Sequence, residues 1–190
     1  KPFSVGWYAR SNGEALADGR VFPRGSLFRI REWYGWNGKP NQGLKMRADA
    51  IAAQILVFEE RWGIKGRVNP GPADASIYDG TNDNCVATDM ARTGVYWVPS
   101  DKSPGSRING LRIGRDMLEA AARIPKEGPG FYVFLDYNPH FIRCIPHLPK
   151  DPQDPEDAWT EGEDHNYDEW RYAICNPFRR AVQGRTVGMY

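Results

Sequence analysis

Apolar and polar positions recur along most of the chain at spacings that mark strands and helices. Residues 3–9 (Phe-Ser-Val-Gly-Trp-Tyr-Ala) gather aromatic and β-branched types and predict a strand. Ser11-Asn12-Gly13 and the stretch around Asp18-Gly19 predict a turn or hairpin loop. Residues 26–34 partly alternate, with Phe28 and Ile30 on one face and Arg29 and Arg31 on the other, which predicts a second strand antiparallel to the first. A loop runs from Gly35 to Gly43. Across 44–62 the apolar positions Ile51, Ile55, Phe58 and Trp62 follow steps of three and four, the period of an amphipathic helix, which Gly63 ends. The segment 64–77 is broken by Pro and Gly and leaves room only for a short strand ending near Asp74.

Downstream, residues 85–93 predict a short helix stopped by Gly94, and 95–98 (Val-Tyr-Trp-Val) a strand. Residues 109–123 predict a helix with Leu111, Met117, Leu118, Ala121 and Ala122 available for its inner side. Gly130 precedes a strong strand at 131–135, and a Pro- and Asp-rich link extends from Pro146 to Asp157. A last helix over about 164–174 offers Tyr167, Trp170 and Ile174 as its apolar face. Strands alternating with helices imply an α/β fold, here a central mixed β-sheet flanked by helices, because the leading hairpin adds an antiparallel strand. The expected organisation is one domain over 1–175 and a loosely attached tail over 176–190.

The chain has 190 residues, 41% hydrophobic and 26% charged, which suits a globular domain with an ordinary core and excludes a disordered one. No apolar run approaches the roughly 20 residues of a membrane helix, and no signal-peptide pattern opens the chain, so no membrane partner is expected. The net charge of +1 is low for a nucleic-acid binder, but acids crowd 151–169 and bases crowd 102–123. Such segregation suits an acidic metal site beside a basic track, and equally a mixed surface. Cys85, Cys144 and Cys175 are widely spaced with no CxxC or Cys/His cluster, so structural zinc is not expected and buried thiols are.

Chemistry concentrates in a few places. On the last helix Asp164 and Asp168 stand four apart and His165 and Asp168 three apart, so each pair shares a face and could hold a hard divalent cation. The alternative is a solvated acidic first turn with Asp164 as its cap. Asp74 lies at a strand end, where α/β sheets bind ligands, or is a turn aspartate bonded to its own backbone. Asp79 and Asp83 read as loop residues. Residues 101–112 form a basic, glycine-containing loop entering a helix, so Lys102, Arg107 and Arg112 could contact phosphates or be ordinary surface cations. Glu32 could face the ligand end of the sheet or pair with an arginine; Asp136 could be a ligand or a turn residue. His140 and His147 have no evident partners. Phosphate-binding GxxxxGK[ST], GxSxG and HExxH motifs do not occur.

Several strings in order, Gly71-Pro-Ala-Asp-Ala-Ser-Ile77, Val98-Pro-Ser-Asp-Lys-Ser-Pro-Gly-Ser-Arg107, Gly130-Phe-Tyr-Val-Phe134, Phe141-Ile-Arg-Cys-Ile-Pro146 and Glu163-Asp-His-Asn-Tyr-Asp-Glu-Trp-Arg-Tyr172, resemble the nuclease domain of phage large terminase subunits. The opening Lys1-Pro-Phe-Ser-Val-Gly-Trp-Tyr8 and Glu32-Trp-Tyr-Gly35 fit the same pattern, and the His-x-x-Asp-x-x-Arg-Tyr block is its most specific piece. The resemblance implies a ribonuclease-H-like fold and an acidic cluster binding two Mg2+ or Mn2+ ions. Asp74 matches the acid on the central strand and Asp168 the acid on the late helix, with Asp164 and His165 as further ligands or helpers. The family's first acid sits in an Asp-x-Gly sequence just before the Pro-Phe stretch, upstream of Lys1.

The expected activity is therefore metal-dependent cutting of concatemeric double-stranded phage DNA during genome packaging, with two ions about 4 Å apart across the scissile phosphate. Lys102, Arg107 and Arg112 would grip the backbone without reading bases. Expected partners are double-stranded DNA, the packaging ATPase domain of the same subunit, the portal protein and the small terminase subunit, in the host cytoplasm at the procapsid portal. The rival readings are a non-catalytic DNA-clamping or docking module of the motor, and another ribonuclease-H-like nuclease of the resolvase or transposase type.

Overall fold

In the computed structural model, residues 1–39, 41–80, 84–153, 157–159 and 164–176 are described. The expected tail beyond Asn176, together with Asp83 and Glu163, lies outside them. The chain divides into two compact units: one of Lys1–Leu44 with the described part of Ser103–Phe178, the other built on Lys45–Lys102.

The first unit holds a three-stranded mixed sheet in the order β1-β2-β5. Strand β1 (Ser4–Arg10) pairs antiparallel with β2 (Leu27–Tyr34), and β5 (Phe131–Val133) joins β2 in parallel, with Leu27 opposite Phe131. Helices α3 (Ser106–Ala122), α4 (Pro139–Cys144) and α5 (His165–Cys175) supply most of the remaining core. Leu27 and Phe131 from the sheet meet Met117 of α3, Phe141 of α4, and Tyr167, Trp170 and Ile174 of α5 in one apolar cluster. The expected inner face of the last helix is thus the observed one. The small mixed sheet with helices matches the α/β expectation at that level.

Strand β2 turns Phe28 and Arg29 to opposite faces, as expected, and the inner face is the one that carries Arg29. Arg29 is completely buried, whereas Phe28 packs on the other face against Phe22 and Tyr132 at 4.9 Å each. Beyond Arg29 the register shifts: Trp7 pairs with Arg31 and Tyr8 with Arg29, so Ile30 has no opposite residue. An extra residue of this kind resets the in–out alternation. Arg29 and Glu32, three apart, therefore both turn inward with side chains 0% and 3% exposed.

Helix α3 also differs from expectation. Its buried positions are Gly110, Gly114 and Met117, while Leu118 is exposed. The glycines let α5 approach closely: a Cβ at Gly110 would stand 2.5 Å from Cγ of Arg171, and one at Gly114 2.5 Å from Cη2 of Trp170. Helix α4 was not expected; it is only six residues long, too short for a helical period to register in the sequence.

The second unit pairs α1 (Ala48–Arg61) with α2 (Val86–Thr93) and carries a two-stranded parallel sheet, β3 (Pro72–Ala73) with β4 (Val98–Pro99). On α1 the buried positions are Ala52, Ile55 and Glu59, a face that shares only Ile55 with the expected stripe. Gly94 ends α2 in the left-handed conformation, φ 105°, as its place after Thr93 implies. The strands stay two residues long because Pro72 and Pro99 cannot donate to a ladder. Asp74 thus follows a short strand of this separate sheet, not a strand of the three-stranded one. None of the three cysteines is in a disulfide, and of the three only Cys144 is buried. Among the described residues no helix is long and apolar enough to cross a membrane.

The glycine contacts set a direct expectation. Gly114→Ala should destabilise the fold by about 1–3 kcal/mol through overpacking, although alanine is the better helix former by about 1 kcal/mol. A lowered urea midpoint at unchanged slope is the measurement that checks it.

Candidate functional site

The acidic start of α5 is organised by residues that face inward from it. Glu169 accepts from Arg29 Nη1 (2.5 Å) and from the Tyr8 hydroxyl (2.7 Å), and Arg29 also bonds the Tyr8 oxygen. Asn166, three residues earlier and fully buried, accepts from the Ser4 hydroxyl at 2.6 Å. Spacing of three puts both on the face that meets β1. Arg29 Nη2 reaches Glu32 at 3.3 Å, and Glu32 in turn accepts from the backbone N–H groups of His140 (2.5 Å) and Phe141 (3.0 Å). Glu32 is therefore the anionic cap of α4 as well as an arginine partner. Gly6 permits this cluster, since a Cβ there would overlap both the Arg29 guanidinium and the Glu169 carboxylate.

Burial works against the Arg29 charge, but Glu169, Tyr8 and Glu32 outweigh it and hold the guanidinium more firmly protonated than usual. Burial, reinforced by Glu169, pushes the Tyr8 hydroxyl well above the ordinary phenol range, against the opposing pull of Arg29. Of this cluster the sequence reading offered only an arginine partner for Glu32, as one of two alternatives, and missed Tyr8 and Glu169. Its one legible sign is the Arg-x-x-Glu spacing of Arg29 and Glu32 in a strand, which a regular in–out alternation would put on opposite faces.

Asp168, adjacent to Glu169 on the helix, points another way. Its Oδ1 accepts from Arg107 Nη1 (3.2 Å) on α3, and from Arg171 Nη2 (3.1 Å) and Nε (3.3 Å) on its own helix. Arg107 further donates to Asp157 (3.0 Å) and to the carbonyl of Ala158 (3.3 Å), and lies over the Tyr167 ring. Asp164 sits at the N-cap of α5 and is 6% exposed, but its carboxylate makes no capping bond. Burial and the neighbouring Asp168 raise its pKa above the usual carboxylate value. His165 brings Nδ1 to 3.7 Å from Asp164 and Nε2 to 3.1 Å from Asn41 Oδ1.

In the second unit, Asp74 accepts from the Ser76 N–H at 2.8 Å, the cap of a 3-10 turn at Ala75–Tyr78, and forms an ion pair with Lys102 at 2.7 Å. Arg112 is a surface residue bonded to Asn109 and near Asp116. Asp136 lies exposed in a 3-10 turn at Leu135–Tyr137. His140 has aromatic neighbours after all, Tyr34 at 5.0 Å and Trp36 at 5.6 Å.

The structure thus brings Asp164, His165 and Asp168 together in the first unit with Arg107, and pairs Asp74 with Lys102 in the second. Among the described residues no three His, Cys, Asp or Glu side chains gather as a ready metal cage. A hard cation at the pair Asp164–Asp168 would relieve the repulsion between the two carboxylates, and would have to displace the Arg107 and Arg171 donors that Asp168 Oδ1 accepts. Compared with protein-family models, curated proteins and solved structures, the chain matches none.

Two outcomes follow from these energetics. Glu169→Ala should cost about 3–5 kcal/mol in stability, since it strands the buried guanidinium; chemical denaturation measures it. For Asp164, a raised pKa means that its contribution is fully present below the unfolded value of 3.8 and is lost as pH rises through the folded one. Asp164→Asn should accordingly raise Tm at pH 7 and leave it nearly unchanged at pH 3, as thermal scans at the two pH values would reveal.

Proposed function

We propose that this chain is a metal-dependent DNA endonuclease domain of the large-terminase type, acting on double-stranded DNA by phosphodiester hydrolysis. The observation that carries the reading is the buried Asp164 beside Asp168 at the start of α5, inside the string that most resembles that family. In the first unit Asp164 and Asp168 would hold a divalent ion, with His165 beside Asp164 placed to order a water or move a proton. Asp74 is the further carboxylate that the resemblance implies. When bound, Mg2+ or Mn2+ supplies an activated water and charge neutralisation at the phosphate. Arg107 and Lys102 supply cationic groups beside these acids, and contacts to phosphate of that kind carry no base preference. A place in a packaging motor, with its ATPase, portal and small subunit as partners, belongs to the same proposal.

A specific observation favours a second reading. Asp168 and Asp74 are both neutralised by basic side chains, Arg107 and Arg171 for the one and Lys102 for the other. A non-catalytic clamping module would keep such pairs as structure.

Plasmid nicking and linearisation in Mn2+ separates the two. The nuclease reading expects cleavage that a chelator abolishes, with Asp168→Asn and Asp74→Asn each lowering the rate at least about 100-fold, the scale of losing an electrostatic contributor to catalysis. Cleavage undiminished in Asp168→Asn would overturn the assignment to this site, and no cleavage by the unaltered chain would leave the clamping module.

A further inference from the structure

We infer that a rim of planar side chains beyond the end of β5 is a docking surface for an unpaired DNA strand; only the choice of DNA over RNA rests on the nuclease reading above. Strand β5 stops at Val133, whereas β2 runs on to Tyr34. Along that further stretch lie the 3-10 turn at Leu135–Tyr137 and helix α4. Five planar groups gather there in two sets of contacts. In one set the Arg31 guanidinium lies 4.0 Å from the centre of the Tyr137 ring. In the other His140 packs against Trp36 at 5.6 Å and against Tyr34 at 5.0 Å, and Arg143 stands 5.2 Å over the Trp36 ring. Arg31 and Tyr34, three residues apart on β2, separate the two sets by about 10 Å along the strand. Tyr137 is 48% exposed, Arg143 is exposed, and Arg31, Trp36 and His140 are half-buried.

Unpaired bases are held by stacking on Tyr, Trp and His rings and on guanidinium planes, the set found here. A duplex keeps its base faces inside the stack and offers such a surface nothing to lie on. The charge is complementary to a phosphate backbone. Residues 31–39 and 134–147 carry Arg31, Lys39 and Arg143 against Glu32 and Asp136. Glu32 is buried, with its oxygens taken by Arg29 and by two N–H groups of α4, so Asp136 is the one exposed acid of these segments. Leu135 and Ile142 are exposed beside the rings and would also suit an apolar protein surface, but the excess of cations favours a polyanion.

The test is fluorescence anisotropy of a labelled oligo-dT of about 20 nucleotides with the 190-residue chain. A chelator is present throughout, so that neither a metal ion nor cleavage enters. Tyr137→Ala should weaken binding about five- to a hundredfold, the loss expected of one stacked base. Tyr137→Phe keeps the ring and should bind within about twofold of the unaltered chain. Tyr137→Leu keeps apolar bulk without a plane and should bind as weakly as the alanine variant. Arg143→Gln should weaken binding and flatten the log–log dependence of affinity on salt by about 0.7, the share of one phosphate contact on a single strand. Tyr96→Ala removes a ring that is 60% exposed in the second unit and should change the affinity less than about twofold. No binding by the unaltered chain up to about 100 μM, or undiminished binding in Tyr137→Ala, overturns the inference. Tyr137→Leu binding as well as Tyr137→Phe overturns it too, and marks an apolar surface for a protein partner. Should Tyr137→Ala not fold, Arg143→Gln carries the test, and an unchanged salt dependence overturns the inference. Oligo-dT binding that Tyr137→Ala loses, without any plasmid cleavage, leaves this inference standing and the nuclease reading failed. Chelator-sensitive plasmid cleavage without oligo-dT binding does the reverse.

Discussion

Burying a guanidinium obliges everything around it to supply acceptors. Arg29 lies in the middle strand of the sheet with no exposure to water, and an uncompensated charge there would cost several kcal/mol. Its partners come from two other elements and from its own strand: Tyr8 on β1, Glu169 on α5, and Glu32 on β2, which ties the same charge to the start of α4. The demand fixes the rotation of α5. With Glu169 and Asn166 held on the face toward β1, the residue before Glu169, Asp168, is turned about 100° around the helix. That rotation delivers it to Arg107 and Arg171. The candidate site is thus oriented by a cluster that has no chemical part in it.

The near-neutral charge of the chain takes on a physical sense in this setting. Of 25 lysines and arginines against 24 acids, several buried or half-buried ones pair with one another within the fold. Arg29, Arg107 and Arg171 are structural partners of Glu169, Asp157 and Asp168, so the basic run at 102–123 is not all a surface track. Segregation of charge along the sequence did not translate into segregation in space: Arg107 from the basic segment sits against Asp157 and Asp168 from the acidic one.

Much of the secondary structure was legible because it follows periodicities that survive without tertiary information. Of the five α-helices among the described residues four were expected; the exception is α4, whose six residues begin at Pro139 and depend on Glu32 for a cap that lies 108 and 109 positions away from its donors. The faces of β2 were legible but not which one is buried: Glu169, the partner that takes Arg29 inward, lies 140 positions away, and the extra residue Ile30 brings Glu32 to the same side. Gly110 and Gly114, spaced four apart in a helix, were the sequence's sign of close helix contact, yet bulkier Leu118 looked the better core residue. In the candidate site, the shared face of Asp164 and Asp168 could be read from spacing alone, being local. Arg107, separated from Asp168 by 61 positions, could not.

The ion pairs at Asp168 and Asp74 bear on the choice between a catalytic and a clamping module through the kind of pairing, not its presence. A carboxylate kept purely for structure gains most when it is dry and its partners are rigid, as Glu32 is with Arg29. Asp168 is different: it stays partly open to water and one of its two arginines is a half-exposed side chain at a helix end. Exposed pairs of this sort add little stability, about 0–1 kcal/mol. Asp164 strengthens the contrast, for it is buried beside a second acid without a capping bond, and it destabilises the fold as an anion. A divalent cation bound there would relieve that repulsion, and this is the physical ground on which the proposed nuclease reading rests.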